Sequence, residues 1–327
     1  MLPLVEFPEI VQHYAPHFES VFSAEAYVQF QRYLSGLIVS ENKTVDGINR
    51  LFVIEKRNQS SLNRLLTESP FSVEALNQAR LGLLDSLPGT QMKPKGVLSV
   101  DDVLLTHYGR HFENIACLCD PTEKRYVWAH NLVNLHYSDD QTGYPVAFRL
   151  WKPADLERLE SGLQAAGIKL RPSKFALKTE NEKKWSQYLL GVWRRHQSKP
   201  EVAELYQSKL MIARQLLRAW VADHPSLALP VTFDDWYTQP AFCRFIDKEL
   251  RLPYVGTLAS DDQVILASGP EPLGDFARRL KEEHLEAVQD GGKGIFHQIT
   301  ITYKGEKETY YSYCRTHRVH NFGKSVW

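Results

Sequence analysis

Two pairs of adjacent aspartates each close a short apolar run. In "GVLSVDDVLLTHYG", Val97 to Val100 lead into Asp101 and Asp102; in "ALPVTFDDWYTQPAF", Leu229 to Phe233 lead into Asp234 and Asp235. Two like charges about 5 Å apart repel by roughly 3 kcal/mol at an effective dielectric near 20, so such a pair needs a reason. The C-terminal ends of core strands are where open α/β sheets gather ligands and chemistry. If the two strands are neighbours, Asp101 and Asp234 can share one divalent cation, and their hard oxygens suit Mg²⁺, with Mn²⁺ as its substitute. The cation removes the repulsion. A strand-end aspartate is also an ordinary cap or turn former, and Asp234 precedes a predicted helix. Two such sites with a basic stretch between them favour the metal. A one-residue slip in register would turn each side chain to the other face and put Asp102 and Asp235 in their place.

The surrounding pattern shows what must hold these acids. Before Leu87 the chain reads as helices. Ser23 and Ser72 are expected N-caps, with Phe22 stapling to Tyr27 and Phe71 to Leu76. Between them, Val45 to Phe52 and Leu62 to Leu66 are short amphipathic segments separated by polar "EKRNQSS". That spacing is compatible with a helix-turn-helix whose second helix carries Asn63 and Arg64 to DNA. Packing within a helical bundle is the plainer use of the same pattern. "LPGTQMKPKG", Leu87 to Gly96, reads as a linker. Strand patterns follow: "GVLSV", "ENIACLC", "RYVWAHNLVNLHY" and "GYPVAFRLW", separated by turn signals, as adjacent antiparallel strands.

A long helical region comes next. Between Lys169 and Trp220, twelve basic residues, among them Lys174, Lys178, Lys183, Lys184, Arg194, Arg195, Lys209, Arg214 and Arg218, face only four glutamates. Trp185, Tyr188 and Trp193 are interleaved. Basic and aromatic side chains together suit a phosphate backbone; a solvated helix face is the alternative. "LPVTF", "FCRFIDKEL" and "YVGTLAS" then alternate strand, helix, strand, which argues for an α/β layer. A charged helix, "ARRLKEEHLEAV", and the strand signals "IFHQITITY" and "ETYYSYCRTHRV" complete the chain.

Composition sets wide bounds. The 327 residues are 43% apolar, enough for a sizeable core and about two domains, and the formal net charge is zero. Any attraction to nucleic acid must therefore be local. No segment has the roughly 20 apolar residues that span a bilayer, and the first residues resemble neither signal peptide nor anchor. Cys117, Cys119, Cys243 and Cys314 lack the usual zinc spacing and are expected as small buried side chains in a reducing cytosol.

At the two acid sites the sequence resembles the DDE transposases of bacterial insertion sequences, whose catalytic core is ribonuclease-H-like. In that family the first Asp stands in a "D-x-T/S" context and the second in "D-x-W/G-Y". Here "VDDVL" places Asp101 at the first position, with Val103 where Thr is usual, and "FDDWY" places Asp234 at the second, with Tyr237 matching. The resemblance covers Lys95 to Trp327 and, more loosely, the helical N-terminus. It implies an N-terminal helical domain over 1–90 and an α/β (α+β) ribonuclease-H-like mixed sheet with flanking helices over 91–327. It also implies metal-assisted phosphoryl transfer: two Mg²⁺ straddle the scissile phosphate, Asp101 bridging both and Asp234 holding one. Double-stranded DNA, as element ends and target, is the implied partner. A homo-oligomer on DNA and a cytoplasmic, nucleoid-associated location follow with it.

The family also needs a third acid, a Glu on a later helix with a Tyr-Arg-Glu-Lys type signature. This sequence stops at "HNFGKSVW" before any such helix, and truncation by frameshift or early stop is the simplest account. Glu282, Glu283 and Glu286 lie on the charged helix without the signature and read as a solvated face. A DNA-binding remnant without catalysis, or an unrelated metal-dependent nuclease, are the rival expectations.

Overall fold

The computed structural model describes residues 4–53, 58–120, 122–171, 179–283, 296–303, 306–313 and 316–322. The chain divides into two compact units, Met1–Met92 and Lys93–Trp327, and the division falls inside the segment read as a linker.

The first unit is helical. α1 (Glu9–Tyr14) runs into a 3-10 turn (Ala15–Val21), followed by α2 (Ala24–Val39), α3 (Val45–Asn49), α4 (Gln59–Thr67) and α5 (Val73–Ser86). The predicted caps are in place: Ser23 Oγ accepts from Ala26 N and Ser72 Oγ from Ala75 N. Each satisfies an amide that the helix itself leaves unpaired. Phe22 stacks on Phe30, one turn beyond the expected Tyr27, and its ring centroid lies 5.0 Å from that of Phe71. Ile48, Leu51, Phe52 and Leu62 bury α3 and α4 together, while Asn63 and Arg64 face outward. Part of the polar segment between them, residues 54–57, lies outside the described residues.

The second unit is built on a six-stranded mixed sheet. Its strands are β1 (Val97–Thr106), β2 (Ala116–Asp120), β3 (Arg125–Ser138), β4 (Gly143–Trp151), β5 (Val231–Phe233) and β6 (Tyr254–Gly256). The order is β2-β3-β1-β5-β6, with β4 also pairing β3. β3 is antiparallel to β1, β2 and β4, whereas β1, β5 and β6 are mutually parallel. An antiparallel β4-β3-β1 block continued by parallel β5 and β6 is a ribonuclease-H-like sheet. β1 does not end at Asp101: it runs on to Thr106 along the 14-residue β3. What ends there is its pairing with the three-residue β5, whose last partners are Val100 and Phe233.

Between β4 and β5 lie α6 (Leu156–Ala165), α7 (Thr179–His196), α8 (Pro200–Ala203) and α9 (Lys209–Asp223). Leu159, Leu163, Leu189, Val192, Trp193 and Val202 give α6–α8 a core of their own. Trp185 and Tyr188 pack against that core and stack on each other at 5.1 Å, so the aromatics interleaved in the basic stretch serve packing. α9 packs on β3 and β4 and contributes buried Ile212, Ala213, Leu216, Leu217 and Trp220. α10 (Pro240–Arg244) and a π-turn (Phe245–Leu250) join β5 to β6.

Beyond β6, β7 (Gln263–Leu266), β8 (Gly269–Pro272) and β11 (Arg318–Val319) form a small separate sheet with α11 (Leu273–Glu283) against it. β9 (Phe296–Tyr303) and β10 (Glu306–Tyr313) form a hairpin, which matches the strand signals there. The cysteine expectation is corrected: Cys243 is buried, but Cys117 and Cys119 are exposed, because β2 is an edge strand paired only with β3. Cys314 lies outside the described residues. Among the described residues no helix is long and apolar enough to cross a membrane.

Candidate active site

Alternation along β1 separates the two aspartates that sequence alone leaves interchangeable. Leu98 and Val100 are buried against the α9 side, and Asp102 follows them onto that face. Ser99 and Asp101 point the other way. Ser99 Oγ meets Thr232 Oγ1 of β5 at 2.9 Å, so both strands present this face together two residues before each acid. The parallel register pairs Leu98 with Val231, Ser99 with Thr232 and Val100 with Phe233. The next level along holds Asp101 and Asp234, on strands about 4.8 Å apart.

Electrostatics agree with that placement. The Asp234 carboxyl is pushed above its ordinary value of 3.8, first by burial and then by the charges of Asp101, Asp235 and Asp102, against a hydrogen bond from Tyr237 N. Asp234 also has the turn-forming role that its type predicts. Its Oδ1 accepts from Tyr237 N at 3.2 Å and its carbonyl from Thr238 Oγ1 at 2.7 Å. Capping and metal binding are thus compatible here: one oxygen shapes the turn and the other remains for a ligand. Gly256 of β6 makes the turn possible, since a Cβ there would lie 2.5 Å from both Thr238 Oγ1 and the Phe233 ring.

Asp102 is occupied. Lys209 Nζ, at the first residue of α9, lies 2.8 Å from its Oδ2, and Asn131 donates to the same oxygen. The buried Tyr237 hydroxyl reaches its Oδ1 at 3.5 Å; burial and the nearby aspartates hold that phenol well above its usual value, so it stays a donor. Asp102 therefore lies in an ion pair on the closed face, and Asp101 lies on the open face. Lys209 could not be assigned from sequence, because its partner is 107 residues away.

Two carboxylates on one level fit Mg²⁺, which commonly takes one or two protein carboxylates with waters and substrate phosphates completing its shell. Among the described residues, no group of three or more His, Cys, Asp or Glu is arranged to hold a metal. Glu282 and Glu283 end α11, which packs on β7 and β8, and Glu283 is bound by Arg279. Glu286 lies outside the described residues.

The basic stretch divides. Lys183, Lys184, Arg194 and Arg195 are exposed on α7. At about 100° per residue, they lie on the side opposite Leu189, Val192 and Trp193. Lys209 and Arg214 are spent within the fold, on Asp102 and on the Ala241 carbonyl at 2.8 Å, whereas Arg218 stays exposed and pairs with Glu249 at 2.7 Å. Lys209 and Arg214 therefore do not add to a basic surface in this stretch. Lys174 and Lys178 lie outside the described residues.

A ribonuclease-H-like sheet that sets two aspartates just beyond the end of a parallel strand pairing is the architecture of a class of metal-dependent phosphoryl-transfer domains. The family model described as DDE superfamily endonuclease matches residues 17–275, and the chain belongs to that family. The match takes in most of the helical first unit and ends within α11. Among curated proteins, none matches the chain.

Proposed function

We propose that the chain is the DNA transposase of an insertion sequence, with Asp101 and Asp234 as the two metal-holding acids of its cleavage and strand-transfer site. The observation that carries this reading is the parallel register ending at Val100 and Phe233, which sets Asp101 and Asp234 on one level. When bound, Mg²⁺ or Mn²⁺ supplies charge stabilisation at phosphate and a more acidic water. Asp101 contributes a carboxylate from a rigid strand and Asp234 one from a capped turn. Lys183, Lys184, Arg194 and Arg195 offer an exposed basic strip to duplex DNA, and Asn63 and Arg64 an exposed helix face. Element ends and target are the DNA partners in this reading, with assembly into a homo-oligomer on DNA and association with the nucleoid.

A second reading, a DNA-binding form without catalysis, is favoured by one observation: no third acid joins the pair among the described residues. Purified chain, incubated with Mg²⁺ or Mn²⁺ and a plasmid carrying the element's ends, separates the two. Cleavage abolished by Asp101→Ala establishes the transposase reading and makes Glu282, Glu283 and Glu286 the next residues to substitute. Salt-sensitive binding to the ends without cleavage establishes the second. Binding to neither metal nor DNA overturns both.

A further inference from the structure

Asp102 joins three elements around the acid pair: β3 through Asn131, α9 through Lys209, and the Asp234 turn through Tyr237. Asp101 is held by the β1–β3 ladder, opposite Asn134. Asp234 is not, since it lies one residue beyond the last paired residue of β5. Its turn is anchored from the closed face instead. Tyr237, fully buried three residues after Asp234, directs its hydroxyl to Asp102, and the Lys209 ammonium on Asp102 lies 5.2 Å from the Trp236 ring and 5.4 Å from Trp151 of β4. The side chains of Lys209 and Asp102 keep only 17% and 19% of their exposure, so their bond is partly shielded from water. The Asn131 amide completes the shell from β3.

Resting on the two-acid reading above, we infer that Asp102 and Lys209 are positioning residues. Together they form a latch that ties β1, α9 and the Asp234 turn through one carboxylate and so fixes the separation of Asp101 and Asp234. Charge and geometry make opposite demands here. Lys209 is a cation bound to the carboxylate next in sequence to Asp101, so by charge alone its loss strengthens the binding of another cation nearby. As a latch, its loss weakens that binding, because the acid pair no longer keeps its spacing.

The test uses the full chain with Mn²⁺ alone as the probe, the free ion being read from its paramagnetic resonance signal. Asp102→Asn with Lys209→Met removes both charges and leaves the net charge unchanged. The latch predicts Mn²⁺ affinity lower by about 10–100-fold, the usual effect of losing a partner that orients a metal ligand. Lys209→Met alone is expected to weaken binding, and Lys209→Arg, which keeps the cation, to recover most of it. Affinity within twofold of the parent in a double variant that melts cooperatively overturns the latch, as does stronger binding in Lys209→Met. Should the double variant not fold, Tyr237→Phe decides: weaker binding supports the latch, and unchanged binding overturns it. Asp101→Asn and Asp234→Asn in the otherwise unaltered chain test the underlying reading separately. If they leave Mn²⁺ binding intact, the metal site fails and the latch with it. If they abolish binding while the latch variants match the parent, only the latch fails.

Discussion

The two faces of the central sheet treat adjacent aspartates in opposite ways. On the closed face, where α9 packs on β3 and β4, Leu98, Val100, Val133 and Leu135 are buried, and Asp102 is met by a lysine, an amide and a phenol. On the other face, Val103 and Leu105 remain 45% and 44% exposed, and Asp101 stands level with Asp234, whose carboxyl is harder to ionise. Charge is compensated on the closed face and left uncompensated on the open one, where the proposed ligand would bind. That is the general cost of a functional site: groups set for a ligand destabilise the protein that lacks it.

The largest expected effect breaks this comparison at its centre. Asp101→Asn and Asp234→Asn should each weaken Mn²⁺ binding by on the order of 100-fold or more, exceeding what outer-shell changes cost. Neither should lower the melting temperature. Isothermal titration beside a thermal melt measures both, and a destabilised Asp101→Asn would place that residue with Asp102 as structural.

Next in size is the DNA interface. Replacing Lys183, Lys184, Arg194 and Arg195 with Ala should flatten the log–log dependence of duplex affinity on salt, by about 0.9 for each phosphate that is no longer neutralised. The same substitution of Arg214, which is engaged inside the fold, should leave the slope unchanged and lower stability instead. Fluorescence anisotropy across a salt series reads the difference, and equal slopes for all three proteins would clear α7 of a DNA role.

Asp102→Ala should cost stability rather than gain it. Leaving Lys209 half-buried without its partner is worth about 2 kcal/mol, discounted from fully buried pairs because some water remains. A domain of this size would then melt about 4–8 °C lower.

The pH dependence has a definite sign. With its folded value raised above the ordinary 3.8, Asp234 contributes stability below the unfolded value that is lost as pH rises through the folded one. A divalent cation offsets that loss. The rise in melting temperature on adding Mg²⁺ should therefore be small near pH 4 and grow as pH rises through the raised value. In Asp234→Asn that growth should vanish, which differential scanning at several pH values would show.

The smallest effect is the reverse of the Asp102 change. Asp234→Asn keeps the oxygen that accepts from Tyr237 N while removing the like charge, and should raise stability at neutral pH by about 0.5–1 kcal/mol. A loss of stability in metal-free buffer would mean that the second carboxylate oxygen has a structural partner.

Much of this protein was legible in the sequence because it is local. Ser23 and Ser72 cap their helices through bonds to amides three residues on, and the hairpins of β1 to β4 follow from period-two apolarity broken by turn residues. The two Asp-Asp pairs were visible as strand-adjacent acids, and the spacing of their motifs matched the family to which the chain belongs. What the sequence left open was which face of the sheet Asp101 and Asp102 each take, because one residue of register separates the two answers. Tertiary structure decided it: the β1–β5 register and the Ser99–Thr232 contact set Asp101 beside Asp234, and α9 brought Lys209 under Asp102. It likewise turned Trp185, Tyr188 and Arg214 inward and left Cys117 and Cys119 outside. Composition records which charges and rings a segment carries. Whether they face solvent depends on partners tens to more than a hundred residues away, and only the folded chain brings those together.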